Sequence, residues 1–439
     1  MTRPGFGTDG VRGVANSELT VELAVALGRA AARVLGANRF VVGRDTRESS
    51  TMLQAALSAG MASGGADVLD VGVLPTAGVA FLAERRGLPA AMVSASHNPY
   101  RDNGIKLFDA AGVKLAPEIE AQVEAALDLA PRAGRVGSLV PEPGALAEYR
   151  RHLVDSIEGR RLGGLHVVVD CANGAASAVA PDVLADAGAR VDALCTDPDG
   201  TNINEGCGST RPELLAREVV ARGADLGLAL DGDADRLVAV DHTGTICDGD
   251  LLLAVFAVDL EARGELTGGT VVVTVMTNLG FRLAMERRGI SVHETPVGDR
   301  QVLAALDESG FALGGEQSGH IVFRKRATTG DGVLTGLLLA DTVVRSGRSL
   351  AELSDGLVER VPQVLVNVAV REPGRLADAD GVWKTAAEIE AGLGESGRVL
   401  LRASGTEPLV RVMVEAPTPE VAAQAAGRLA EVIETALTG

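Results

Sequence analysis

Aromatic residues, cysteine and long hydrophobic runs are scarce in this 439-residue chain. These scarcities limit the composition of its cores, the role of its cysteines and its expected location. Aromatic residues make up 3% of the sequence, so the cores must depend on Val, Leu, Ala and Ile, which suits parallel sheets covered by helices. The four cysteines are scattered, without a CxxC or Cys/His pairing, and indicate buried free thiols. No apolar run reaches membrane-spanning length, and the N-terminal residues lack the apolar segment of a signal peptide. These features predict a cytoplasmic protein.

An excess of basic residues is also missing. The formal net charge is -18, from 41 Lys and Arg against 59 Asp and Glu, so nucleic acid and anionic membranes are excluded as expected partners. A small anionic substrate stays compatible with this charge if basic residues are concentrated in one cleft. The oligomeric state is left open, with a homodimer as one alternative.

The chain is long enough for three or four domains, and three of its segments repeat one order of elements. From Arg39, Leu165 and Gly269, an apolar strand, a polar turn, a helix and a second strand follow one another, as in a βαβ unit with parallel strands. The C-terminal segment instead has strands followed by an amphipathic helix that Thr418 can cap. The Gly/Pro-rich segment 130–149 is predicted to link domains or to run over the surface.

We therefore predict an α/β protein with three related α/β domains with mixed sheets and a C-terminal α+β domain, arranged around a central cleft. The predicted domains are 1–150, 151–253, 254–366 and 367–439.

The segment DGDADR places Asp231, Asp233 and Asp235 at alternate positions between two apolar strands. Such carboxylates can point at one small cation, and without a cation they would repel one another. Oxygen-only ligands favour Mg²⁺ over zinc or copper. An EF-hand is excluded because Arg236 and His242 replace the glycine and glutamate of that motif. A solvated acidic turn is the alternative, and the preceding apolar strand disfavours it.

Ser96 follows an apolar strand and precedes a turn at Asn98 and Pro99, and strand ends are where the sites of α/β proteins lie. A turn-capping serine is the alternative, since neither a G-x-S-x-G elbow nor an acyl-transfer triad accompanies it. The side chain of the adjacent His97 is expected to diverge from that of Ser96. A phosphorylated Ser96 would offer the cation a further oxygen ligand.

Five segments of the chain, taken together and in order, resemble the α-D-phosphohexomutase superfamily over essentially the whole sequence. They are FGTDGVRG (6–13), SASHNP (94–99), DGDADR (231–236), GEQSGH (315–320) and RASGTEPLVR (402–411). The resemblance is closest to bacterial members that act on glucosamine phosphates. It implies interconversion of glucosamine 6-phosphate and glucosamine 1-phosphate through a phosphoserine enzyme and glucosamine 1,6-bisphosphate, supplying UDP-N-acetylglucosamine and cell-wall precursors. Action on glucose or mannose phosphates is the alternative within the family.

The resemblance also implies which residues carry the reaction. Ser96 matches the phosphorylated serine, and its phosphate would complete the shell of one Mg²⁺ per chain with Asp231, Asp233 and Asp235. The sugar and its distal phosphate would be bound by residues of the last two segments: Glu316, Ser318, Arg402, Ser404, Gly405, Thr406 and Arg411.

Basic groups are needed around the transferred phosphoryl group, and Arg12, Lys106 and Arg236 are the candidates. A lysine in a surface turn is the alternative for Lys106. The proton of the attacking hydroxyl is assigned to Lys106 or His320, and the sequence leaves that choice open. Two other classes also stay open: an aspartyl-phosphate phosphatase with Asp231 as nucleophile, and a sugar-phosphate sensor without catalysis.

Overall fold

The structure, a computed structural model, describes residues 4–7, 9–130, 134–404 and 408–437. These residues form four β-sheets. The chain divides into two compact units, Met1–Met276 with Ile290–Asp355 and Thr277–Gly289 with Gly356–Gly439. Three sheets lie in the first unit and the C-terminal sheet lies in the second. Within the described residues, every helix is too short or too polar to cross a membrane. The four domain boundaries stay a prediction.

The first sheet has seven strands in the order β1-β2-β6-β5-β3-β4-β7. Its strands are β1 (Phe6–Gly7), β2 (Gly10–Val14), β3 (Arg39–Arg44), β4 (Asp67–Val73), β5 (Ala90–Val93), β6 (Asp102–Phe108) and β7 (Leu139–Pro141). The accompanying helices are α1 (Val21–Leu35), α2 (Glu48–Ser63), α3 (Thr76–Arg86), α4 (Pro117–Ala126) and α5 (Ala145–Asp155). Strands β3 and β4 pair in parallel, as the first repeat predicted, and small or branched side chains such as Leu27, Ala31 and Leu57 fill the core.

The segment 130–149 is more than the predicted linker, since it contains β7 and the first turns of α5. Strand β7 pairs in parallel with β4 at the edge of the sheet, and all three of its residues are exposed. Because β7 is held by backbone hydrogen bonds instead of buried side chains, it has no hydrophobic pattern to recognise.

The second sheet has the order β12-β11-β10-β8-β9. Its strands are β8 (His166–Asp170), β9 (Arg190–Leu194), β10 (Leu226–Leu230), β11 (Leu237–Asp241) and β12 (Ile246–Cys247), with helices α6 (Ala180–Asp186) and α7 (Glu213–Arg222). Strands β8 and β9 are parallel, as the second repeat predicted, whereas β10 and β11 form an antiparallel hairpin. The turn of this hairpin carries the DGDADR segment, and the flanking strands confirm that it is no EF-hand.

The third sheet has the order β14-β13-β15-β16. Its strands are β13 (Thr270–Thr274), β14 (Ser291–Thr295), β15 (Leu313–Gly315) and β16 (Ile321–Phe323). The helices of this part of the chain are α8 (Gly249–Ala262), α9 (Leu279–Glu286), α10 (Asp299–Ser309), α11 (Gly332–Ser346) and α12 (Leu350–Ser354). Strands β13 and β14 are parallel, as the third repeat predicted, but α9 between them belongs to the second unit. The first three sheets all mix parallel and antiparallel pairs, which confirms the predicted mixed sheets.

The second unit has an antiparallel sheet in the order β17-β19-β18. Its strands are β17 (Gln363–Ala369), β18 (Arg398–Ala403) and β19 (Leu409–Glu415). Its helices after β17 are α13 (Asp380–Leu393) and α14 (Pro419–Leu437). Thr418 Oγ1 accepts a hydrogen bond from Val421 N at 3.3 Å, which confirms the predicted cap of α14. Helix α13 was missed, although its buried Val382, Ala386 and Ile389 have helical spacing. The carboxylate of Glu415 accepts the amide hydrogen of Leu279 at 3.1 Å and so holds the start of α9 within this unit.

Candidate active site

Ser96 lies in the tight turn between β5 and β6, with its backbone in the left-handed region at φ 52°. Such a conformation is costly for a residue with a side chain, so the surroundings must hold it. Arg47 Nη2 and Asn204 Nδ2 donate to the carbonyl oxygen of Ser96 at 2.8 and 2.9 Å, and Ser94 Oγ accepts its amide hydrogen at 3.0 Å. The turn is therefore fixed from three sides.

The hydroxyl of Ser96 is buried beside two side chains. Its Oγ donates to Asp231 Oδ2 at 2.5 Å and lies 3.3 Å from His97 Nδ1. The expectation that His97 diverges is wrong, because the left-handed backbone at Ser96 brings the two side chains together. Burial and the charges of Arg236 and Arg12 lower the pKa of His97 to about 4, so its imidazole is neutral near pH 7.

The DGDADR turn (231–236), which we call the metal loop after the ion predicted for it, can approach Ser96 closely because its second residue is a glycine. A Cβ atom on Gly232 would lie 2.6 Å from the carbonyl oxygen of Ser96, too short for any carbon–oxygen contact. Any side chain at this position would therefore push the DGDADR turn away from Ser96.

Asp231, Asp233 and Asp235 are all buried in the turn between β10 and β11, and they offer oxygen atoms within 4.8 Å of one another. Asp233 Oδ1 and Asp235 Oδ1 are buried, yet neither accepts a hydrogen bond from any residue that the structure describes. Burial and the charges of Asp235 and Asp233 raise the pKa of Asp231 well above its usual range. Buried, mutually repelling oxygen donors with vacant acceptor capacity are what Mg²⁺ requires, so the residues present fit this ion.

Lys106 lies on strand β6 with 1% of its surface exposed, so it is not in a surface turn. Its Nζ lies 2.8 Å from Asp233 Oδ2, 3.1 Å from Asp9 Oδ2 and 3.5 Å from Asp235 Oδ2. Burial lowers the pKa of Lys106, but these carboxylates outweigh it and raise the pKa above its usual value. Thr76 Oγ1 also donates to Asp233 Oδ2, at 2.6 Å.

Asp9 joins the predicted site to Lys114, a residue that sequence reasoning missed. Its carboxylate contacts Arg12, Lys106 and Lys114. Burial raises the pKa of Asp9, but the charges of Lys106, Lys114 and Arg12 outweigh it and hold that pKa well below the usual range. Lys114 also forms an ion pair with Asp299, at the start of α10. Lys114 is therefore a buried cation between two carboxylates.

The GEQSGH segment (315–320), which the resemblance assigns to sugar binding, joins β15 to β16. Leu237 N, next to the metal loop, donates to the carbonyl oxygen of Gly319 at 3.0 Å. Glu316 Oε1 accepts the amide hydrogen of Gly298 at 3.2 Å. Ser318 Oγ is buried and makes no hydrogen bond with the described part of the chain. The hydrogen-bonding capacity of this hydroxyl is therefore unused within the described residues.

His320 and Arg236 both approach the last aspartate of the metal loop. His320 Nε2 accepts the amide hydrogen of Gly330 at 3.0 Å, which places the proton of the neutral imidazole on Nδ1. That Nδ1 lies 3.8 Å from Asp235 Oδ2, and Arg236 Nε lies 3.8 Å from Asp235 Oδ1. Of the predicted basic groups, Arg12, Lys106, Arg236 and His320 thus all lie near carboxylates of one cluster.

The remaining predicted residues belong to the second unit. Arg402 and Arg411 are cross-strand partners on β18 and β19. Burial and the charge of Arg411 lower the pKa of Arg402. Like charges opposite each other destabilise a sheet, so the pair suits a bound anion. Ser404 follows β18, whereas Gly405 and Thr406 lie outside the described residues.

Comparison with known families identifies the class of protein that this fold and cluster define. Four descriptions of one family match in order: "Phosphoglucomutase/phosphomannomutase, alpha/beta/alpha domain I" over 3–131, domain II over 147–244, domain III over 248–361 and the C-terminal domain over 365–432. The chain therefore belongs to the phosphoglucomutase/phosphomannomutase family, and the predicted resemblance is confirmed.

Within this family, the chain is similar to proteins named phosphoglucosamine mutase. The protein of that name from Saccharopolyspora erythraea is 54% identical over 438 residues, covering 98% of this chain and 98% of its own. The one from Streptomyces griseus is 52% identical over 449 residues, covering 98% and 99%. A solved structure of a phosphoglucomutase/phosphomannomutase family protein from Burkholderia thailandensis matches with a TM-score of 0.83 at 27% identity, covering 98% of this chain and 97% of that one.

Proposed function

We propose that this protein is an isomerase that interconverts glucosamine 6-phosphate and glucosamine 1-phosphate, through a phosphoserine enzyme and glucosamine 1,6-bisphosphate. The observation that carries the proposal is the contact of Ser96 Oγ with Asp231 Oδ2 at 2.5 Å, inside a buried cluster of carboxylates and cations. Relatives named phosphoglucosamine mutase, more than half identical over nearly the full length, support the choice of sugar. The product would supply UDP-N-acetylglucosamine and cell-wall precursor synthesis.

The reaction needs a hydroxyl that can carry a phosphoryl group and release it to a sugar. In the first half, a sugar hydroxyl attacks the phosphorus on Ser96, the bond from phosphorus to Ser96 Oγ breaks, and the sugar loses its proton. In the second half, after the sugar has turned around, Ser96 Oγ loses its proton and attacks the other phosphate of the bisphosphate. The bond from that phosphorus to the sugar oxygen breaks, and the released sugar oxygen takes up a proton. Arg12 and Lys106 supply fixed positive charge near Ser96 Oγ. Of the two residues predicted to handle the proton, we favour His320, because the raised pKa of Lys106 keeps its amine protonated and unable to accept.

Asp231, Asp233 and Asp235 would hold one Mg²⁺ per chain, which supplies positive charge that polarises the phosphorus when bound. The vacant buried oxygens Asp233 Oδ1 and Asp235 Oδ1 support this assignment. Thr76 and Lys106 hold Asp233 from the other side, so its free oxygen keeps a set direction.

Recognition is divided between two groups of residues. Glu316 and Ser318 bind sugar hydroxyls, and the Glu316 carboxylate also suits the ammonium group of glucosamine. The phosphate that does not react is bound by residues of the second unit: Arg402, Ser404, Gly405, Thr406 and Arg411. Arg402 and Arg411, facing each other across a strand pair, support an anion site there.

The location and the partners that we propose for the protein follow from its composition. The net charge of -18 supports a small-molecule substrate without nucleic acid or membrane as partner, and the scattered free cysteines support a cytoplasmic location. A homodimer stays one alternative for its assembly.

The choice of substrate is tested by comparing initial rates with glucosamine, glucose and mannose monophosphates. We expect kcat/KM to favour the amino sugar by at least about ten-fold, the order that one charged contact contributes to specificity. Glu316→Gln should reduce this preference, because it removes the carboxylate that faces the ammonium group. Equal or faster turnover of glucose 1-phosphate by the wild-type protein would contradict the proposed substrate.

Substitution of Lys114 provides a second test, which asks whether the ion pairs of Lys114 with Asp9 and Asp299 matter for activity and stability. Lys114→Met should lower kcat by at least about ten-fold and destabilise the protein by about 3–5 kcal/mol, because Asp9 and Asp299 lose their shared cation. Lys114→Arg should retain more of the wild-type kcat and stability than Lys114→Met. Steady-state kinetics and thermal unfolding measure the two effects, with the exposed Lys384→Met as control. The importance of Lys114 is refuted if its methionine variant matches that control.

A further inference from the structure

Three side chains of types that can ligate a metal converge outside the candidate active site, at the carboxyl ends of β8 and β9. Asp170 ends β8 and Cys195 follows β9, and these strands are parallel neighbours. Cys207 returns to the same edge in the loop before α7, where Gly208 N donates to Asp170 Oδ2 at 2.8 Å. A carboxylate oxygen and two sulfur atoms thus lie within 4.8 Å of one another. This Asp170–Cys195–Cys207 cluster takes no part in the reaction derived above.

We propose that the Asp170–Cys195–Cys207 cluster binds a divalent cation of the zinc class. Two thiolates and one carboxylate form a donor set that zinc prefers and magnesium does not, which distinguishes this cluster from the oxygen-only metal loop. Three protein ligands leave a fourth tetrahedral position for solvent. Asp170 and Cys207 are buried but Cys195 is only half-buried, so a cation can enter from that side.

The carboxylate of Asp170 is already oriented as a ligand would be. Ala172 N donates to its Oδ1 at 2.9 Å and Gly208 N donates to its Oδ2 at 2.8 Å. Backbone donors of this kind fix the direction of a metal-binding carboxylate, and each oxygen keeps a lone pair for a cation. The side chain therefore needs no rearrangement to bind.

The buried acids of the cluster hold their protons more tightly than usual. Burial raises the pKa of Asp170. A hydrogen bond with Cys195, burial and the charge of Asp170 raise the pKa of the Cys207 thiol. A divalent cation therefore binds here by displacing these protons. The same surroundings disfavour a disulfide, because its formation needs attack by a thiolate, which an adjacent carboxylate makes scarce.

A cation here would brace the turn that carries Ser96. The loop between Cys195 and Cys207 contains Asn204, whose Nδ2 donates to the carbonyl oxygens of Ser96 at 2.9 Å and Asn98 at 3.1 Å. Fixing both ends of this loop would limit the movement of Asn204. The effect on the Ser96 turn rests on the proposed function, whereas cation binding by the Asp170–Cys195–Cys207 cluster does not.

The proposal is tested with Co²⁺ as a spectroscopic probe, added to the full-length protein in an excess of Mg²⁺ that fills the oxygen-only site. We expect one equivalent of Co²⁺ to produce a sulfur-to-cobalt charge-transfer absorption, which excess Zn²⁺ removes. Cys207→Ser should abolish this absorption. Cys247→Ser, which alters a buried thiol outside the cluster, should retain it.

A second measurement keeps the test valid if Cys207→Ser fails to fold. In the wild-type protein, stoichiometric Zn²⁺ should slow alkylation of Cys195 and Cys207 by at least about ten-fold, as mapped on peptides, because a coordinated thiolate is a poor nucleophile. The proposal is overturned by the absence of both effects, by an absorption that persists in Cys207→Ser, or by a peptide in which Cys195 and Cys207 are joined as a disulfide. None of these readouts uses turnover, so failure of the proposed reaction would be seen separately.

Discussion

Ser96→Ala should lower the turnover of glucosamine 6-phosphate by more than about 10⁴-fold, the scale on which covalent enzymes depend on their nucleophile. The hydroxyl is the only atom group removed, and the turn that carries it is held by backbone contacts to Arg47 and Asn204 that alanine keeps. The variant should therefore fold, and it should still bind the sugar phosphate. Steady-state kinetics and intact mass are the measurements.

The matched control is Ser94→Ala, which removes a buried hydroxyl two residues away. Ser94 Oγ accepts from Ser96 N and donates to Asp45, so its loss should weaken the turn and lower kcat moderately. Protein purified without substrate should carry one phosphoryl group in the wild type and in Ser94→Ala, and none in Ser96→Ala. If Ser96→Ala keeps substantial activity, an aspartyl-phosphate phosphatase with Asp231 as nucleophile becomes the better explanation.

The elements that could be predicted are those whose signal is local in the chain. The strands β3, β8 and β13 are five or six residues long with a continuous apolar centre, and each pairs in parallel with the second strand of its repeat. The missed strand β7 has no buried residue, so hydrophobic periodicity could not reveal it. Helix α9 was expected within its βαβ unit, but a carboxylate more than a hundred residues later, Glu415, holds its first turn.

The same distinction applies to the candidate site. Ser96 and the three aspartates lie in short segments whose spacing already suggests chemistry. The structure places Ser96 in contact with Asp231 and places oxygen atoms of the three aspartates within 4.8 Å of one another. Lys114 has no such signal, because the carboxylates on either side of it come from distant segments. His97 was misjudged for a different reason: adjacent side chains usually diverge, and only the left-handed backbone at Ser96 brings this pair together.

Removing divalent cations should reduce turnover by at least about a thousand-fold, and adding Mg²⁺ back should restore it. The reason is electrostatic: three carboxylates buried within 4.8 Å of one another repel both each other and an incoming phosphate, unless a cation neutralises them. Binding of the sugar should survive in part, because Glu316 and Ser318 lie outside the metal loop. Activity and ligand binding after chelation measure the two effects.

Thermal unfolding provides a readout of the cation that is independent of turnover. A ligand that binds only the folded state raises the melting temperature, so Mg²⁺ should stabilise the wild-type protein. Asp235→Asn should lose most of this stabilisation, because it weakens one of the two vacant buried oxygen donors, whereas the exposed Asp182→Asn should keep it. The metal site would be contradicted by undiminished turnover after removal of divalent cations, or by an equal rise in melting temperature with Mg²⁺ in both variants. The carboxylates that would hold Mg²⁺ also accept hydrogen bonds from Ser96 and Lys106. Loss of the ion should therefore disturb the positions of both the Ser96 hydroxyl and the Lys106 ammonium group.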